Sequence, residues 1–231
     1  MTAEDFLEGQ ILLVDKPLTW SSFQAVNKLK YILKRKYNLP KKFKIGHAGT
    51  LDPLATGLLI VCTGKFTKRI TEIQAQAKEY TGTFTVGSTT PSYDLETEVD
   101  ATFPTNHITA ELIHETTKQF IGEIDQKPPV FSAIKKEGKR LYEHARAGEE
   151  VEIAFRKTTI KEFEITKFDM PKIEFRVVCS KGTYIRSLAF DFGKALNSGA
   201  HLSVLRRTKI GDYLVENAVT PEEFEKQISQ G

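Results

Sequence analysis

Apolar and polar positions change period several times along the chain, and each change predicts an element. Residues 11–15 (ILLVD) form a short apolar run closed by Lys16-Pro17, the pattern of a buried strand. Ser21 or Ser22 can cap a helix in which Val26, Leu29 and Leu33 recur at helical spacing, with a basic far side, until Leu39-Pro40 ends it. Residues 44–57 are rich in Gly, Thr and Pro and predict an irregular loop, followed by an apolar strand over 58–63. Residues 64–77 place Phe66, Ile70, Ile73 and Ala77 on one helical stripe. Residues 78–86 alternate, with Tyr80, Gly82, Phe84 and Val86 on one face and Thr81, Thr83 and Thr85 on the other, predicting a half-buried strand.

Further on, residues 87–107 read as an acidic, turn-rich loop. Thr109 starts a helix carrying Leu112, Ile113, Phe120 and Ile121, stopped at Gly122. Pro128-Pro129 excludes a helix interior from 126–132. A short helix is expected over 139–147, and successive strands over 151–155, 158–168 and 172–180. Residues 183–196 give an amphipathic helix with Ile185, Leu188, Ala189, Phe192 and Leu196 inward, then a strand over 202–207. Thr220-Pro221-Glu222-Glu223 combines a capping box with Pro at the first helical position, so a last helix follows. Strands come in runs as well as alternating with helices, which predicts an α+β fold with a central mixed, mainly antiparallel sheet flanked by helices. With no internal repeat or linker, residues 1–231 read as a single domain.

Composition narrows the class. The 231 residues are 40% hydrophobic and 27% charged, a globular mix that excludes a disordered chain, a collagen and a coiled coil. The longest apolar run, 58–62, is far short of the ~20 residues of a membrane span. No basic segment precedes an apolar stretch at the N-terminus, as a secretory signal would require. Cys62 and Cys179 sit singly in strand-like runs and read as buried free thiols of a cytoplasmic protein.

The net charge of +3 hides segregation. Residues 28–44 carry eight Lys/Arg and no acid, and 180–211 carry six bases against one acid. Residues 88–125 carry eight acids against one base, and the last twenty carry five against one. Separated basic segments brought together by folding could line an anionic partner such as a nucleic acid; the plain alternative is a set of solvated helix faces.

Several chemistries lack their residues. Gly57…Gly64-Lys65 misses the phosphate-loop spacing and has Phe66 where a hydroxyl is needed. No GxGxxG occurs, the five histidines (47, 107, 114, 144, 201) have no metal-ligand spacing, and Gly49 and Gly57 flank no serine elbow. Dinucleotide, nucleoside triphosphate, structural zinc and triad-hydrolase readings therefore recede.

What stands out is Gly46-His47-Ala48-Gly49-Thr50-Leu51-Asp52-Pro53-Leu54-Ala55-Thr56-Gly57. Glycines and a proline fix a loop before a buried strand, the setting in which chemistry tends to sit. Its acid, Asp52, taken alone reads as a turn residue at an Asp-Pro corner.

The segment KIGHAGTLDPLATGLLIVCTGKFTK (44–68) resembles the signature of the TruB family of tRNA pseudouridine synthases. The likeness continues through Lys78-Glu79-Tyr80, QKPPVFSAIKKEGKRLYEHAR (126–146), CSKGTYIRSLA (179–189) and GAHLSVLRRTKIGDY (199–213), in order over about residues 10–215. It implies the pseudouridine synthase fold and isomerisation of uridine at position 55 in the tRNA T loop, without cofactor or metal. Asp52 matches the family's catalytic aspartate. Pseudouridine formation breaks the N1–C1′ bond, turns the uracil and rejoins it through C5, and a carboxylate can serve as nucleophile or base. Arg186 matches the arginine expected to pair with that aspartate and keep it charged. Tyr80 matches the ring that stacks on a base flipped out of the RNA, the extrusion that such chemistry requires. Tyr184 matches a second substrate aromatic, Leu205 an apolar contact to the base, and His47 a histidine beside the flipped nucleotide.

Without the resemblance, Tyr80, Tyr184 and Leu205 would pass as packing residues, Arg186 as a solvent-facing or phosphate-binding residue and His47 as a structural histidine. RNA phosphates are expected at Lys16, the 28–44 run, Lys135, Lys136, Lys139, Arg140, Arg206 and Arg207. The PLATG wording after Asp52, and the absence of room for a C-terminal PUA domain after the last motif, point to the stand-alone bacterial type: a monomer that takes the tRNA T stem-loop without guide RNA. The turn after the Tyr80 strand departs from the family, since GSTTPSYDLETE keeps Asp94 but lacks a following glycine. Two rivals are a non-catalytic tRNA-binding or folding module and a glycosidase-like enzyme on nucleosides. The second would need two carboxylates, and no motif offers another.

Overall fold

A computed structural model describes residues 1–132, 134–136, 138–147, 149 and 151–230; the side chains of 135, 136, 140, 142, 145 and 146 lie outside the description. In chain order the elements are α1 (Ala3–Glu8), β1 (Ile11–Lys16), α2 (Ser22–Tyr37), β2 (Ile45–His47), β3 (Ala55–Thr63), a 3₁₀ turn (Gly64–Arg69), α3 (Ile70–Ala75) and β4 (Lys78–Val86). Then come β5 (Ser88–Thr89), β6 (Ala101–Thr102), α4 (Ala110–Lys118), β7 (Gly122–Gln126), β8 (Lys135–Lys136), β9 (Lys139–Arg140) and α5 (Leu141–Arg146). The chain closes with β10 (Arg156–Asp169), β11 (Lys172–Cys179), α6 (Ile185–Ala195), β12 (Ala200–Ile210), β13 (Tyr213–Leu214), a second 3₁₀ turn (Val215–Asn217) and α7 (Pro221–Gln230). The fold is α+β, with a central mixed sheet flanked by helices.

The chain forms two compact units, 1–80 with 205–231, and 81–204; β4 and β12 contribute residues to both. In the first unit β1 and β2 run antiparallel to β3, and β12 joins β3 in parallel, Leu205 opposite Ala55 and Arg207 opposite Gly57. β3 is buried almost throughout because both of its faces are covered. Leu59 and Val61 pack with Leu29, Leu33 and Phe224 from α2 and α7, while Leu58, Ile60 and Cys62 pack with Ile73 and Ile210 on the other face. α2 starts at a Ser21 capping box with Gln24 and ends at Asn38 in the left-handed conformation.

In the second unit β11, β10 and β7 are antiparallel neighbours. Their core is aromatic: Phe84 stacks on Phe175 with ring centroids 4.1 Å apart, and Phe163 lies 5.4 Å from Phe192 of α6. Aromatic pairing of this kind adds to simple area burial.

The periodic elements fall where the pattern predicts them, and the differences have local causes. Residues 44–57 are not wholly irregular, because β2 pairs with β3 through main-chain bonds that need no side-chain pattern. Residues 64–77 split into a 3₁₀ turn and a short α3; at their start Gly64 has φ 52°, and a Cβ there would meet the Leu7 carbonyl oxygen at 2.1 Å. The helix begun at Thr109 ends at Lys118, leaving Ile121 exposed, and β7 follows at Gly122. The predicted strand over 151–155 is absent, and α1 is an element the apolar pattern does not announce.

Candidate active site

Within the first unit, one loop gathers most of the singled-out residues. It leaves β2 after His47 and enters β3 at Ala55. The Asp52 carbonyl accepts from the Ala55 amide at 3.1 Å, closing a β-turn with Pro53 at its first corner, as the Asp-Pro pair predicts. Asp52 itself is partly exposed.

Around that turn the main chain is held from several sides. The buried Ser22 hydroxyl accepts from the Leu51 amide at 2.8 Å and donates to the Leu51 carbonyl at 3.0 Å. The Thr19 amide donates to Pro53 at 2.9 Å. Lys16, fully buried, donates to the carbonyls of Pro17 (2.9 Å) and Trp20 (2.6 Å), with Pro53 at 3.5 Å. Arg207, 1% exposed, donates from Nε to Leu58 (2.8 Å) and from Nη2 to Gly49 (3.0 Å), so its guanidinium ties the start of the loop to β3. Lys16 and Arg207, expected on RNA phosphates, therefore direct these donors to main-chain oxygens in the interior. Arg206 is half-exposed and forms a forked pair with Asp15 at 3.0 and 2.6 Å.

The electrostatics follow from burial. Desolvation pulls the Lys16 ammonium down to about 8; the charge of Asp52 opposes that shift, Arg207 adds to it and Asp15 opposes it. Asp52 thus lies within the field of a buried cation. Burial and the Arg207 charge lower the His47 pKa, favouring the neutral imidazole, and His47 Nδ1 is buried without a hydrogen-bond partner among the described residues. Leu205 sits opposite Ala55, its carbonyl accepting from Thr56 Oγ1 at 3.4 Å. Tyr80 is buried on β4, one residue after Glu79, which accepts from Thr208 of β12 at 2.7 Å.

In the second unit Tyr184 caps α6, and the Gln126 side chain clamps it, accepting from its amide at 2.8 Å and donating to its carbonyl at 3.0 Å. Arg186 lies in the first helical turn, 4% exposed. Its Nε stands 3.6 Å from Asp94 Oδ2 and its Nη1 donates to the Ser92 carbonyl at 3.4 Å. The acidic loop is therefore folded inward at Asp94, which is 5% exposed. In sequence Asp94 stands out only as a turn residue; its signal was an acid between Ser92 and Thr97, small hydroxyl neighbours whose mutual bond folds the turn. Ser22, Gln126 and the inward role of Arg207 carried no signal. Lys135, Lys136 and Arg140 lie on a two-stranded ribbon with side chains outside the description, and the exposed Lys139 is 3.8 Å from Glu149. Among the described residues, no three His, Cys, Asp or Glu side chains cluster as a metal would require, and no helix is long and apolar enough to cross a membrane.

Comparison with known proteins bears on these residues. Residues 34–185 match the model of the TruB family pseudouridylate synthase N-terminal domain, and 186–230 match the tRNA pseudouridylate synthase B C-terminal domain. A protein of Flavobacterium johnsoniae named tRNA pseudouridine synthase B is 75% identical over 228 residues, 99% of this chain and 100% of that one. Its namesake in Parabacteroides distasonis is 58% identical over 98% of this chain and 96% of its own. Among solved structures, a chain in the crystal structure of a Cbf5-Nop10-Gar1 complex superposes with a TM-score of 0.74 at 29% identity, covering 98% of this chain and 56% of that one. A chain of an H/ACA RNP bound to a substrate RNA containing 2′-deoxyuridine gives 0.69 at 27% identity, over 96% of this chain and 53% of its own. The present chain spans about half the length of those two solved chains.

Proposed function

Since the chain belongs to the TruB family of pseudouridylate synthases, we propose that it isomerises uridine 55 in the T loop of tRNA, with Asp52 as the catalytic carboxylate. The observation that carries this reading is the fixing of Asp52. Its loop is pinned at Gly49, Leu51 and Pro53 by Arg207, Ser22 and Thr19, Arg207 also holds Leu58 of β3, and a buried ammonium lies within its field. A main chain fixed on these sides presents the Asp52 carboxylate from a set position, which lowers the entropy cost of attack or proton removal.

Uridine swings out of the T loop and its ring rests on Tyr80. The N1–C1′ bond breaks with Asp52 acting on the sugar or base. The uracil turns, C5 bonds to C1′, the C5 proton leaves and N1 gains one, so product and substrate are isomers and no cofactor is consumed. Leu205 and Tyr184 contact the base, and His47, neutral near pH 7, supports the flipped nucleotide. Arg186 supplies positive charge, itself oriented by Asp94. The enzyme works as a cytoplasmic monomer without guide RNA.

A T stem-loop transcript incubated without guide RNA or metal, then mapped by a chemical-adduct stop, tests this reading. Asp52→Asn removes the product while tRNA binding persists. Unchanged turnover in that variant overturns the catalytic assignment, and binding without turnover in the wild type leaves a tRNA-folding module instead.

A further inference from the structure

The basic run over 28–44, expected on RNA phosphates, begins on α2, whose two sides differ. Its inner side, with Ala25, Val26, Leu29, Ile32 and Leu33, is buried in the core. Phe23, Asn27, the pair Lys30 and Tyr31, and the pair Lys34 and Arg35 succeed one another, turn by turn, along the opposite side. Phe23 is 68% exposed and Tyr31 59% exposed. The helix holds no acid, and among the described residues Lys28 is its basic side chain that meets one, Glu225 of α7. Lys34, Arg35 and Lys36 in the last turn complement the helix dipole, which accounts for their sign. It does not account for Lys30, nor for two large aromatics left in water beside the cations.

The position of α2 gives the stripe a direction. Its first residue, Ser22, holds Leu51, the neighbour of Asp52, so the helix begins at the candidate catalytic loop. At 1.5 Å per residue, the stripe from Phe23 to Arg35 runs about 18 Å away from that loop. Cations alternating with exposed rings along a line match an RNA strand, which offers a phosphate and a stacking face at every nucleotide.

We propose that the exposed side of α2 is a track for the RNA backbone flanking the target uridine, with Lys30, Lys34 and Arg35 on phosphates and Phe23 and Tyr31 against bases or riboses. The proposal rests on the tRNA reading above and extends it to a surface beyond the reacting nucleotide.

Equilibrium binding of unmodified tRNA transcript at several salt concentrations tests it, with two variants. Lys30→Glu/Lys34→Glu/Arg35→Glu is expected to weaken binding at least tenfold near 0.1 M salt and to flatten the log Kd against log salt slope by about 2 to 3. Phe23→Ala/Tyr31→Ala is expected to weaken binding about tenfold with the slope unchanged, because stacking releases no counterions. In turnover the loss appears in KM. Phe23, Tyr31 and Arg35 are exposed, Lys30 and Lys34 are half-buried, and none of the five belongs to the core, so melting curves close to the wild type are expected. Kd values within twofold of wild type in both variants overturn the track and leave α2 a solvated face or a docking surface for something other than RNA. The outcome is separable from the catalytic reading, since Kd is read on tRNA whether or not pseudouridine forms.

Discussion

The Ser22 hydroxyl closes a ring of two hydrogen bonds with the main chain of Leu51, taking its amide proton and giving its own to the carbonyl. One side chain at the start of α2 thereby fixes the residue before Asp52. The bond crosses 29 residues of sequence and ties a helix that belongs to the core to a loop that carries the chemistry.

Ser22→Ala breaks both bonds and leaves the Leu51 amide and carbonyl without their partner. An unsatisfied buried donor costs about 1–3 kcal/mol, so a measurable drop in the chemical-denaturation midpoint is expected. Turnover should fall further than tRNA affinity, because the residue touches the loop and not the RNA. A variant with wild-type kcat would show that Asp52 needs no such support.

Gly57→Ala tests how tightly β3 and β12 approach. Gly57 has φ 99°, and a Cβ there would stand 2.3 Å from the Arg207 carbonyl oxygen. Main-chain atoms on both sides leave little room for relief, so a loss of at least about 2 kcal/mol is expected. Denaturant unfolding that matches the wild type would contradict the register of this strand pair.

Lys16 gives stability a pH dependence whose sign is fixed by its lowered pKa. The folded protein releases its proton near 8 and the unfolded chain near the ordinary 10.5. Between those values the unfolded state binds more protons, so this group makes stability rise with pH, by up to about 1.4 kcal/mol per unit. Below pH 8 both states are protonated and the slope vanishes. Lys16→Met should remove that slope, measured as unfolding free energy from pH 7.5 to 10; an unaltered slope assigns it to another group.

Asp94→Asn leaves the Arg186 guanidinium buried beside a neutral amide. Removing one partner of a buried ion pair costs about 3–5 kcal/mol, so the melting temperature drops sharply. Arg186→Met/Asp94→Leu should recover part of that stability but no activity. Full activity in Asp94→Asn would deny the pair any part in orienting Arg186.

Local pattern made much of this legible. A cap at Ser21 or Ser22, the Thr220 capping box, the alternation over β4 and the apolar inner stripe of α6 were readable because caps and periods involve residues within a few positions of one another. β2 and β7 were not, since short strands bordering glycines take their pairing from a distant partner. The loop around Asp52 was recognisable by its glycines, its proline and its family signature, and the TruB family membership bears out that recognition.

By itself the chain determined the α+β class, the helix starts at Ser21, Thr109 and Thr220 and the Gly-Pro loop that carries Asp52, because each is set by short-range sterics and by the spacing of apolar residues. Only the tertiary structure decided that Lys16 and Arg207 turn inward to main-chain carbonyls, that Asp94 folds in against Arg186, and that the start of α2 abuts Leu51. A charged side chain reads the same in sequence whether it meets water, phosphate or a buried oxygen. Its partner is chosen by which distant segments the core brings within about 3 Å.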